Sequence, residues 1–296
     1  MTKRTTYISF LKSLFSQGQI WFLKVLIISF FGVQSAEANF SIDSEDALKI
    51  LDETTLKSIK VLKDYEKELT DEFERIIEKY YVDPTKISDI ARKITVKLEG
   101  ATQGSGVLVK KQGNIYTVLS AMHVFKNHSL GDEIGIITFD GVEHVFKNSI
   151  LRKVGNIDMA VLTFRSNKNY QVAKIGQIEN ISEGQQIFVS GYPIATTSVT
   201  KRLFRFTKGE IISNTNKNIK DGFQLLYSNA TLPGMSGGGV INESGELIGI
   251  HGRAERADRV SMESGKPVAT GINQAVPINF YQEFEKRNKF IRNNSD

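Results

Sequence analysis

The chain has 296 residues, of which 40% are hydrophobic and 24% charged, a profile that excludes a disordered or collagen-like protein and allows one large or two modest domains. It contains no Cys, which excludes disulfides, thiolate metal sites and a cysteine nucleophile. The first 38 residues, with four basic side chains and one acidic one, supply +3 of the net charge of +5, so the bulk charge gives no reason to expect nucleic-acid binding.

Residues 1–38 have the pattern of a signal peptide. A basic leader precedes a short apolar run at 25–33, and residues 36–38 (Ala-Glu-Ala) fit the small-x-small pattern of a cleavage site. The alternative is a membrane anchor, but Lys24 interrupts the apolar stretch, which is shorter than the roughly 20 residues of a spanning helix. We therefore expect cleavage after residue 38, export to the periplasm or the exterior of a bacterium, and no stable membrane span after cleavage.

Residues 39–88 are predicted to form a long amphipathic helix segment. From about Asp43 to Tyr81, apolar residues recur mostly at steps of three and four, and Pro84 disfavours continuation of the helix. The simplest interpretation is that this apolar stripe docks on the following domain. A coiled-coil dimer and a removable pro-segment are alternatives, and the sequence leaves the oligomeric state open.

Residues 89–285 are predicted to form one β-rich domain, followed by a polar tail at 286–296. Short β-branched and apolar runs, cut by Gly and Asn, replace the helical pattern after Ile90. About a dozen such runs, with no helical pattern between them, indicate antiparallel barrels or a sandwich rather than alternating βαβ units. The predicted strands are Ile94–Leu98, Gly106–Val109, Ile115–Leu119, Ile134–Phe139, Met159–Phe164, Gln186–Val189, Phe204–Phe206, Glu210–Ser213, Leu225–Ser228, Gly239–Ile241, Leu247–Ile250 and Gly271–Val276.

A glycine-rich segment at 232–239 holds one serine, Ser236. Glycines allow backbone conformations closed to other residues and let a substrate approach the main chain, as an oxyanion hole of N–H groups requires. A Gly-Ser run by itself is more often a flexible turn. A catalytic role for Ser236 therefore requires a base elsewhere in the chain.

Two further residues are candidates for a hydrolytic site with this serine. His123 closes the apolar run 115–124, where a lone His would usually be a satisfied core residue. Asp158 lies within the apolar run 157–162, and burying an unpaired carboxylate is costly enough that a partner is expected. An imidazole is a suitable partner, because a carboxylate orients it and stabilises its cation.

The three motifs around these residues, in this order, resemble those of chymotrypsin-like (trypsin-like) serine peptidases. They read Ser-Ala-Met-His-Val at 120–124, Asn-Ile-Asp-Met-Ala-Val-Leu at 156–162 and Gly-Met-Ser-Gly-Gly at 234–238. The bacterial branch, with the glutamyl endopeptidases and the high-temperature-requirement protease domains, is the most similar, and the resemblance runs from about Ile94 to Phe280. It implies two packed six-stranded antiparallel β-barrels, preceded here by the N-terminal helix, with the site in the cleft between them.

The resemblance also implies roles for individual residues. Ser236 is the expected nucleophile, His123 the general base and then acid, and Asp158 the residue that orients the imidazole. The N–H groups of Gly234 and Ser236 are expected to form the oxyanion hole. Met235 stands where the animal enzymes commonly have an Asp that pairs with a freed N-terminal ammonium, so activation by that ion pair is not expected.

The resemblance places the specificity pocket at four further residues. Ala230 occupies its base, so the acid that selects Lys and Arg is absent. Thr231 and His251 resemble the carboxylate-binding pair of glutamyl endopeptidases, and Arg253 follows on the strand that lines the pocket. We therefore expect a preference for Glu or Asp before the cleaved bond, against the alternative that His251 is merely a strand residue and Ala230 opens a small apolar pocket.

Other interpretations of the sequence stay open. The serine segment also fits the G-x-S-x-G elbow of an α/β-hydrolase esterase, although good strand rather than helix residues follow it. A catalytically weak peptide-binding protein on a peptidase fold is a further alternative. The basic and aromatic residues at 201–208 suggest nucleic-acid contact or, more simply, one strand with a wet face. We expect protein or peptide substrates, no nucleic-acid partner, no metal and no cofactor.

Overall fold

The computed structural model describes residues 83–100, 103–129, 131–147, 151–215, 217, 219–260 and 267–293, together with scattered residues between 57 and 75. The chain divides into two compact units, residues 1–77 and 78–296. In the first unit the described residues are helical, in agreement with the predicted helix, whose other residues and the signal peptide lie outside the described ones. No helix among the residues described is long and apolar enough to cross a membrane.

The second unit is built almost entirely from strands. Its helices are α1 (Pro84–Ile94) and α2 (Asn279–Asn293), with 3₁₀ turns at Met122–Phe125, Ile178–Asn180 and Lys220–Gly222. Its strands are β1 (Thr95–Glu99), β2 (Gly104–Gln112), β3 (Ile115–Ser120), β4 (Glu133–Ile137), β5 (Glu143–Lys147), β6 (Arg152–Lys153), β7 (Ala160–Arg165), β8 (Gln186–Gly191), β9 (Arg205–Asn214), β10 (Leu225–Tyr227), β11 (Gly239–Asn242), β12 (Leu247–Val260) and β13 (Pro267–Pro277).

Helix α1 begins at the proline that the sequence analysis took as a helix end. The carboxylate of Asp83 accepts a hydrogen bond from the N–H of Thr85, and Pro84 occupies the first turn, where its missing N–H and fixed φ are favourable. The helix continues to Ile94, which was predicted to open a strand, and β1 starts one residue later. The domain start predicted at residue 89 therefore falls inside α1.

The first seven strands form one antiparallel sheet that does not close. Their order is β5-β4-β1-β2-β3-β7-β6, and no strand pair among the described residues joins the two edges. The expectation of two closed barrels is therefore wrong for this half. Edge strand β5 still contacts the other side of the sheet through side chains, since its His144 ring stacks on Phe164 of β7, the strand next to the opposite edge, with centroids 4.3 Å apart.

The remaining six strands form a closed antiparallel barrel of the expected kind, in the order β10-β13-β12-β11-β8-β9. β9 is one continuous strand where two were predicted, and β12 and β13 extend beyond their predicted ends. A buried hydrogen bond of 2.9 Å between the hydroxyls of Thr95 and Ser190 links β1 to β8. The first sheet and the barrel are thus joined in their interior.

One hydrophobic cluster is shared by both halves. It combines Ile94 of α1 and Leu119 of β3 with Phe188 of β8 and Ile241 of β11, all of them fully buried. Tyr281 brings α2 into the same cluster, and that helix continues to residue 293, through most of the predicted polar tail. The sheet and the barrel therefore pack on one shared core.

Candidate active site

His123 and Asp158 lie in two turns at one end of the neighbouring strands β3 and β7 of the first sheet. β3 ends at Ser120, and the 3₁₀ turn that follows buries Val124 and Phe125, which leaves the His123 side chain 31% exposed. Asp158 lies in the tight turn before β7, where its N–H donates to the carbonyl of Asp221 (2.8 Å). The sequence brings both residues to this point because each follows or precedes a buried strand, and β3 and β7 are neighbours in the sheet.

The carboxylate of Asp158 contacts His123 twice. One oxygen lies 2.7 Å from the imidazole Nδ1, and the other accepts the backbone N–H of His123 at 2.8 Å. An ionised carboxylate only accepts, so Nδ1 carries the proton and Nε2 is the unprotonated nitrogen. Burial acts to raise the pKa of Asp158, but the hydrogen bonds from His123 and the charge of Arg253 outweigh it, so the pKa is lowered. Asp158 is therefore an ionised acceptor at neutral pH, placed to hold the Nδ1 proton of His123.

The loop around Ser236 is shaped by glycines in close contact with other backbone. Gly237 has φ of +88°, and a Cβ there would lie 2.1 Å from the carbonyl oxygen of Ser105. A Cβ on Gly238 would lie 1.9 Å from the carbonyl oxygen of Ser190. A larger residue at either position would displace the loop. Met235, which replaces the activation aspartate, is 1% exposed and packs in the barrel core.

The Ser236 hydroxyl is half-buried and donates to the carbonyl of Gly252 on β12 at 2.8 Å. Among the hydrogen bonds of the described residues, none joins this hydroxyl to His123. The Ser236 hydroxyl is thus bonded to the backbone of β12.

Two backbone N–H groups, those of Ser236 and of Gly234 before it, have no acceptor among the described residues. The carbonyl of Pro233 accepts the N–H of Ile194 at 2.9 Å, and a trans peptide directs its N–H opposite to its carbonyl. The N–H of Gly234 therefore points away from Ile194. That of Met235 donates to Leu232, whereas those of Gly234 and Ser236 donate to no acceptor within the described part of the chain. These are the two donors expected for an oxyanion hole.

The residues expected in the specificity pocket have different environments. Ala230 is exposed, and Thr231 is half-buried with its hydroxyl donating to the side-chain oxygen of Asn273 at 2.5 Å. His251 is 3% exposed, and its Nδ1 lies 2.5 Å from the hydroxyl of Tyr227. Burial and, to a smaller extent, repulsion from His123 lower the pKa of His251 to about 3. His251 is therefore neutral, not a fixed positive charge.

Arg253, two residues after His251 on β12, is exposed. Its guanidinium donates to the side-chain oxygen of Gln274 at 3.0 Å, approaches the carboxylate of Asp221 at 3.4 Å and stacks over Phe223. Asp221 has φ of +64°, and its carbonyl holds the N–H of Asp158. Arg253 is thereby connected to the loop that supports the carboxylate of the site.

Sequence reasoning missed four contributors to this site. Ser105 lies within the span of the family resemblance but was given no role, and Arg202 belonged to a segment interpreted most simply as one strand with a wet face. Arg202 lies before β9, however, and its side chain is 5% exposed. Tyr227 and Asp221 were not singled out, because a tyrosine on a strand and an aspartate before a glycine carry no signal of their tertiary partners.

Two expectations from the sequence bear on other classes of site. The residues after Ser236 turn directly into strand β11, so the strand-turn-helix of an α/β-hydrolase is excluded. Over the described residues, no group of three or more His, Asp or Glu side chains is arranged to hold a metal ion.

Comparison with known proteins identifies relatives of this chain. The family model of the trypsin-like peptidase domain matches residues 104–250, which include all three motif residues. The serine protease Do-like HtrA of Lactobacillus helveticus is 27% identical over 211 residues, or 69% of this chain and 48% of that protein. A serine protease HtrA-like of Staphylococcus aureus (strain bovine RF122 / ET3-1) is 31% identical over 197 residues, or 62% of this chain and 23% of that protein.

A solved structure shows the same fold. The HtrA-type protease AlgWS227A with tripeptide superposes with a TM-score of 0.54 at 24% identity, over 69% of this chain and 63% of that one. The chain spans about half or less of the length of the curated relatives it matches. The matches confirm the resemblance to bacterial trypsin-like peptidases that the three motifs indicated.

Proposed function

We propose that this chain, which has a trypsin-like peptidase domain and relatives among bacterial HtrA serine proteases, is a serine endopeptidase that acts through Ser236, His123 and Asp158. The observation that carries the proposal is the double contact of the Asp158 carboxylate with the ring and backbone of His123. A carboxylate in this position fixes the imidazole tautomer and stabilises the imidazolium that forms during the reaction.

The reaction follows from the groups present. Ser236 Oγ attacks the substrate carbonyl carbon while Nε2 of His123 takes the hydroxyl proton. The negative charge that develops on the carbonyl oxygen is stabilised by the free N–H groups of Gly234 and Ser236. Collapse of the tetrahedral intermediate transfers the proton from Nε2 to the leaving amine and yields an acyl-enzyme. Water, activated by the same nitrogen, then releases the acyl group and regenerates the serine.

A second candidate function is that of a catalytically weak peptide-binding protein on the same fold. The observation in its favour is the Ser236 hydroxyl, which donates to Gly252 and not to His123. Catalytic hydrogen bonds, however, commonly form or tighten only when substrate binds. We therefore rank the endopeptidase first.

The test of the proposed function separates the two candidates. We expect a serine-directed phosphonate probe to label Ser236, located by mass spectrometry, and the purified protein to hydrolyse a casein or peptide substrate. Ser236→Ala should abolish both, and Asp158→Asn should lower kcat on the order of 10⁴-fold by favouring the wrong imidazole tautomer. Peptide binding without labelling or hydrolysis by the wild-type chain would establish the second candidate.

For specificity we propose a preference for Glu or Asp before the cleaved bond. His251 supports it as a neutral donor in the tautomer with the ring proton on Nε2, which has no partner among the described hydrogen bonds. In this tautomer the Tyr227 hydroxyl donates to Nδ1 rather than to the carbonyl of Gln274. A bound carboxylate would raise the imidazole pKa and strengthen this bond. Ala230 offers a Lys or Arg side chain no charge to pair with.

A peptide library varied only at that position tests the specificity. We expect the highest kcat/KM for Glu, and a selective loss of Glu turnover in His251→Val of roughly 30-fold to 1,000-fold, as for an unmade hydrogen bond to a charged group. Thr231→Val should matter less, because its hydroxyl is already committed to Asn273. Preferred cleavage after Leu, Phe, Lys or Arg would contradict the assignment while leaving the triad untouched.

Export and domain organisation complete the proposal. We propose that residues 1–38 are removed as a signal peptide, that a helical segment follows them, and that the peptidase domain begins with α1 at Pro84 and includes α2. Acting in the periplasm or outside the cell, the enzyme would meet protein or peptide substrates, without a cofactor. Amino-terminal sequencing of the mature protein from a cell fraction would test both the cleavage and the location.

A further inference from the structure

The side chain of Arg202 is buried although it is charged, with 5% of it exposed. Its guanidinium donates to four backbone carbonyl oxygens, those of Leu98 (2.7 Å), Gly104 (2.8 Å), Tyr192 (2.6 Å) and Pro193 (3.2 Å). It also lies 3.2 Å from the carboxylate of Glu99. Removing a charge from water is costly, and a complete set of acceptors such as this one offsets the cost. The guanidinium therefore fixes the backbone that surrounds it.

These acceptors belong to two different parts of the domain. Leu98 and Gly104 lie at facing ends of β1 and β2 in the first sheet. Tyr192 and Pro193 form the segment that leaves β8 of the barrel. Arg202 joins the sheet to this segment with a planar fork of donors, which a lysine ammonium does not reproduce.

The segment held by Arg202 contacts the peptide that carries one oxyanion donor. Ile194, the next residue, donates its N–H to the carbonyl of Pro233, which sets the plane of the Pro233–Gly234 peptide. A Cβ on Gly234 would lie 2.6 Å from the Ile194 nitrogen. The two backbones are therefore as close as a glycine allows.

A serine holds the other peptide of Gly234 to the same segment. The buried hydroxyl of Ser105 accepts the N–H of Tyr192 and donates to the carbonyl of Gly234, each at 2.8 Å. Both peptide planes of Gly234 thus depend on residues 192–194. Gly234 has φ of +91°, and because it has no Cβ, only these outside contacts restrict rotation of its two peptide planes.

We propose that Arg202 is a positioning residue for the oxyanion hole: by holding residues 192–194, it keeps the N–H of Gly234 directed into the cleft. The inference rests on the proposed function, because it assigns that N–H to the oxyanion of the reaction. Arg202 itself does not touch the substrate. Its loss should lower transition-state stabilisation and leave ground-state binding nearly unchanged.

The experiment compares Arg202→Gln and Arg202→Lys with Arg205→Gln, an exposed arginine three residues away, in the full chain. Loss of one oxyanion donor costs about 10²-fold to 10³-fold in kcat. We expect a kcat loss approaching this size, per titrated active site, for Arg202→Gln, with KM changed less than about threefold. Affinity for a peptide aldehyde, which mimics the tetrahedral species, should fall in parallel with kcat.

The conservative variant separates positioning from folding. Arg202→Lys keeps the ion pair with Glu99 and should fold, yet it should lose most of the kcat lost in Arg202→Gln. Added guanidinium ion should partly restore kcat in Arg202→Ala, and Arg205→Gln should match the wild type. Wild-type kcat per active site in Arg202→Lys, or losses explained entirely by fewer folded molecules, would overturn the proposal.

A spectroscopic measurement keeps the proposal independent of activity. In ¹⁵N-labelled protein, Arg202→Lys should shift the amide resonances of Gly234 and Met235 and leave the downfield Nδ1 proton of the His123–Asp158 pair in place. If the wild-type chain is inactive but Arg202→Lys produces these shifts, the proposed function is refuted and the positioning role is supported. Unchanged Gly234 and Met235 amides would refute the positioning role alone.

Discussion

His251 and Tyr227 form a buried polar pair that the proposed reaction uses only for specificity. Both side chains are in the barrel interior, and the pair is held by one 2.5 Å hydrogen bond. Burial raises the pKa of Tyr227 well above its usual value and lowers that of His251 to about 3. Neither group therefore carries a charge at neutral pH, and the pair is stable only in that state.

This pair predicts a pH dependence of stability. In the unfolded chain an imidazole titrates near pH 6.5, so between about pH 6.5 and 3 the unfolded state binds a proton that the folded state excludes. The free energy of unfolding should then fall as the pH is lowered through this window, by at most about 1.4 kcal/mol per pH unit from this residue. Urea denaturation at several pH values measures it. His251→Gln should flatten the curve, and an equal slope in this variant would contradict the assignment.

The three candidate catalytic residues could be predicted because each is of an unusual type for the sequence segment around it. A histidine at the end of an apolar run, an aspartate inside another and a serine among glycines are visible without a structure. The contacts of Arg202 were not, because a basic residue in a basic and aromatic segment has the pattern of a wet surface. Its partners include the backbone carbonyls of Leu98 and Gly104, which lie 104 and 98 residues earlier in the chain. Every residue has a backbone carbonyl, so the sequence gives no signal of which ones a side chain will contact.

Among the elements, α1 shows how a local signal was correct in part. Pro84 was interpreted as the end of a preceding helix, but with Asp83 as its cap it starts α1. Strand β5 was not predicted because its sequence, Glu-His-Val-Phe-Lys, is mostly polar, as is common for a strand at the edge of a sheet. Strand β6 was not predicted because two residues are too few to show an alternating pattern. The open first sheet follows from the same residues: its two edge strands, β5 and β6, are the ones with the weakest strand signals.

The docking of α1 predicts an effect of mutation on stability. Ile87, Ala91 and Ile94 are the buried residues of this helix, and Ile94 is fully inaccessible in the core shared by sheet and barrel. Ile94→Ala should lower the free energy of unfolding by roughly 2 to 5 kcal/mol, since it leaves a cavity there. Lys93→Ala, an exposed neighbour on the same helix, should change it by less than about 0.5 kcal/mol. Similar effects of the two substitutions in denaturant titrations would show that α1 is not docked.

For the whole molecule, the division into two units predicts that the first is dispensable for the chemistry. Every residue of the candidate site lies within 78–296. A chain beginning at Glu78 should keep kcat within about twofold, and soluble yield should fall if the apolar stripe of the removed helix covers a surface. A cut at residue 89 should do worse, because it removes Ile87 and the Asp83 cap from α1. A sharp rise in kcat on truncation at 78 would instead identify the first unit as inhibitory.

The shared hydrophobic cluster has a consequence for how this domain melts. Because Ile94, Leu119, Phe188 and Ile241 lie in one cluster, opening either half alone would expose apolar surface belonging to the other. The buried hydroxyl contact between Thr95 and Ser190 would break in the same event. The sheet and the barrel should therefore lose structure together, in one cooperative calorimetric transition whose van't Hoff and calorimetric enthalpies agree. Catalytic activity should then be lost at the temperature at which the domain unfolds. No partly unfolded species should retain the sheet without the barrel, or the barrel without the sheet.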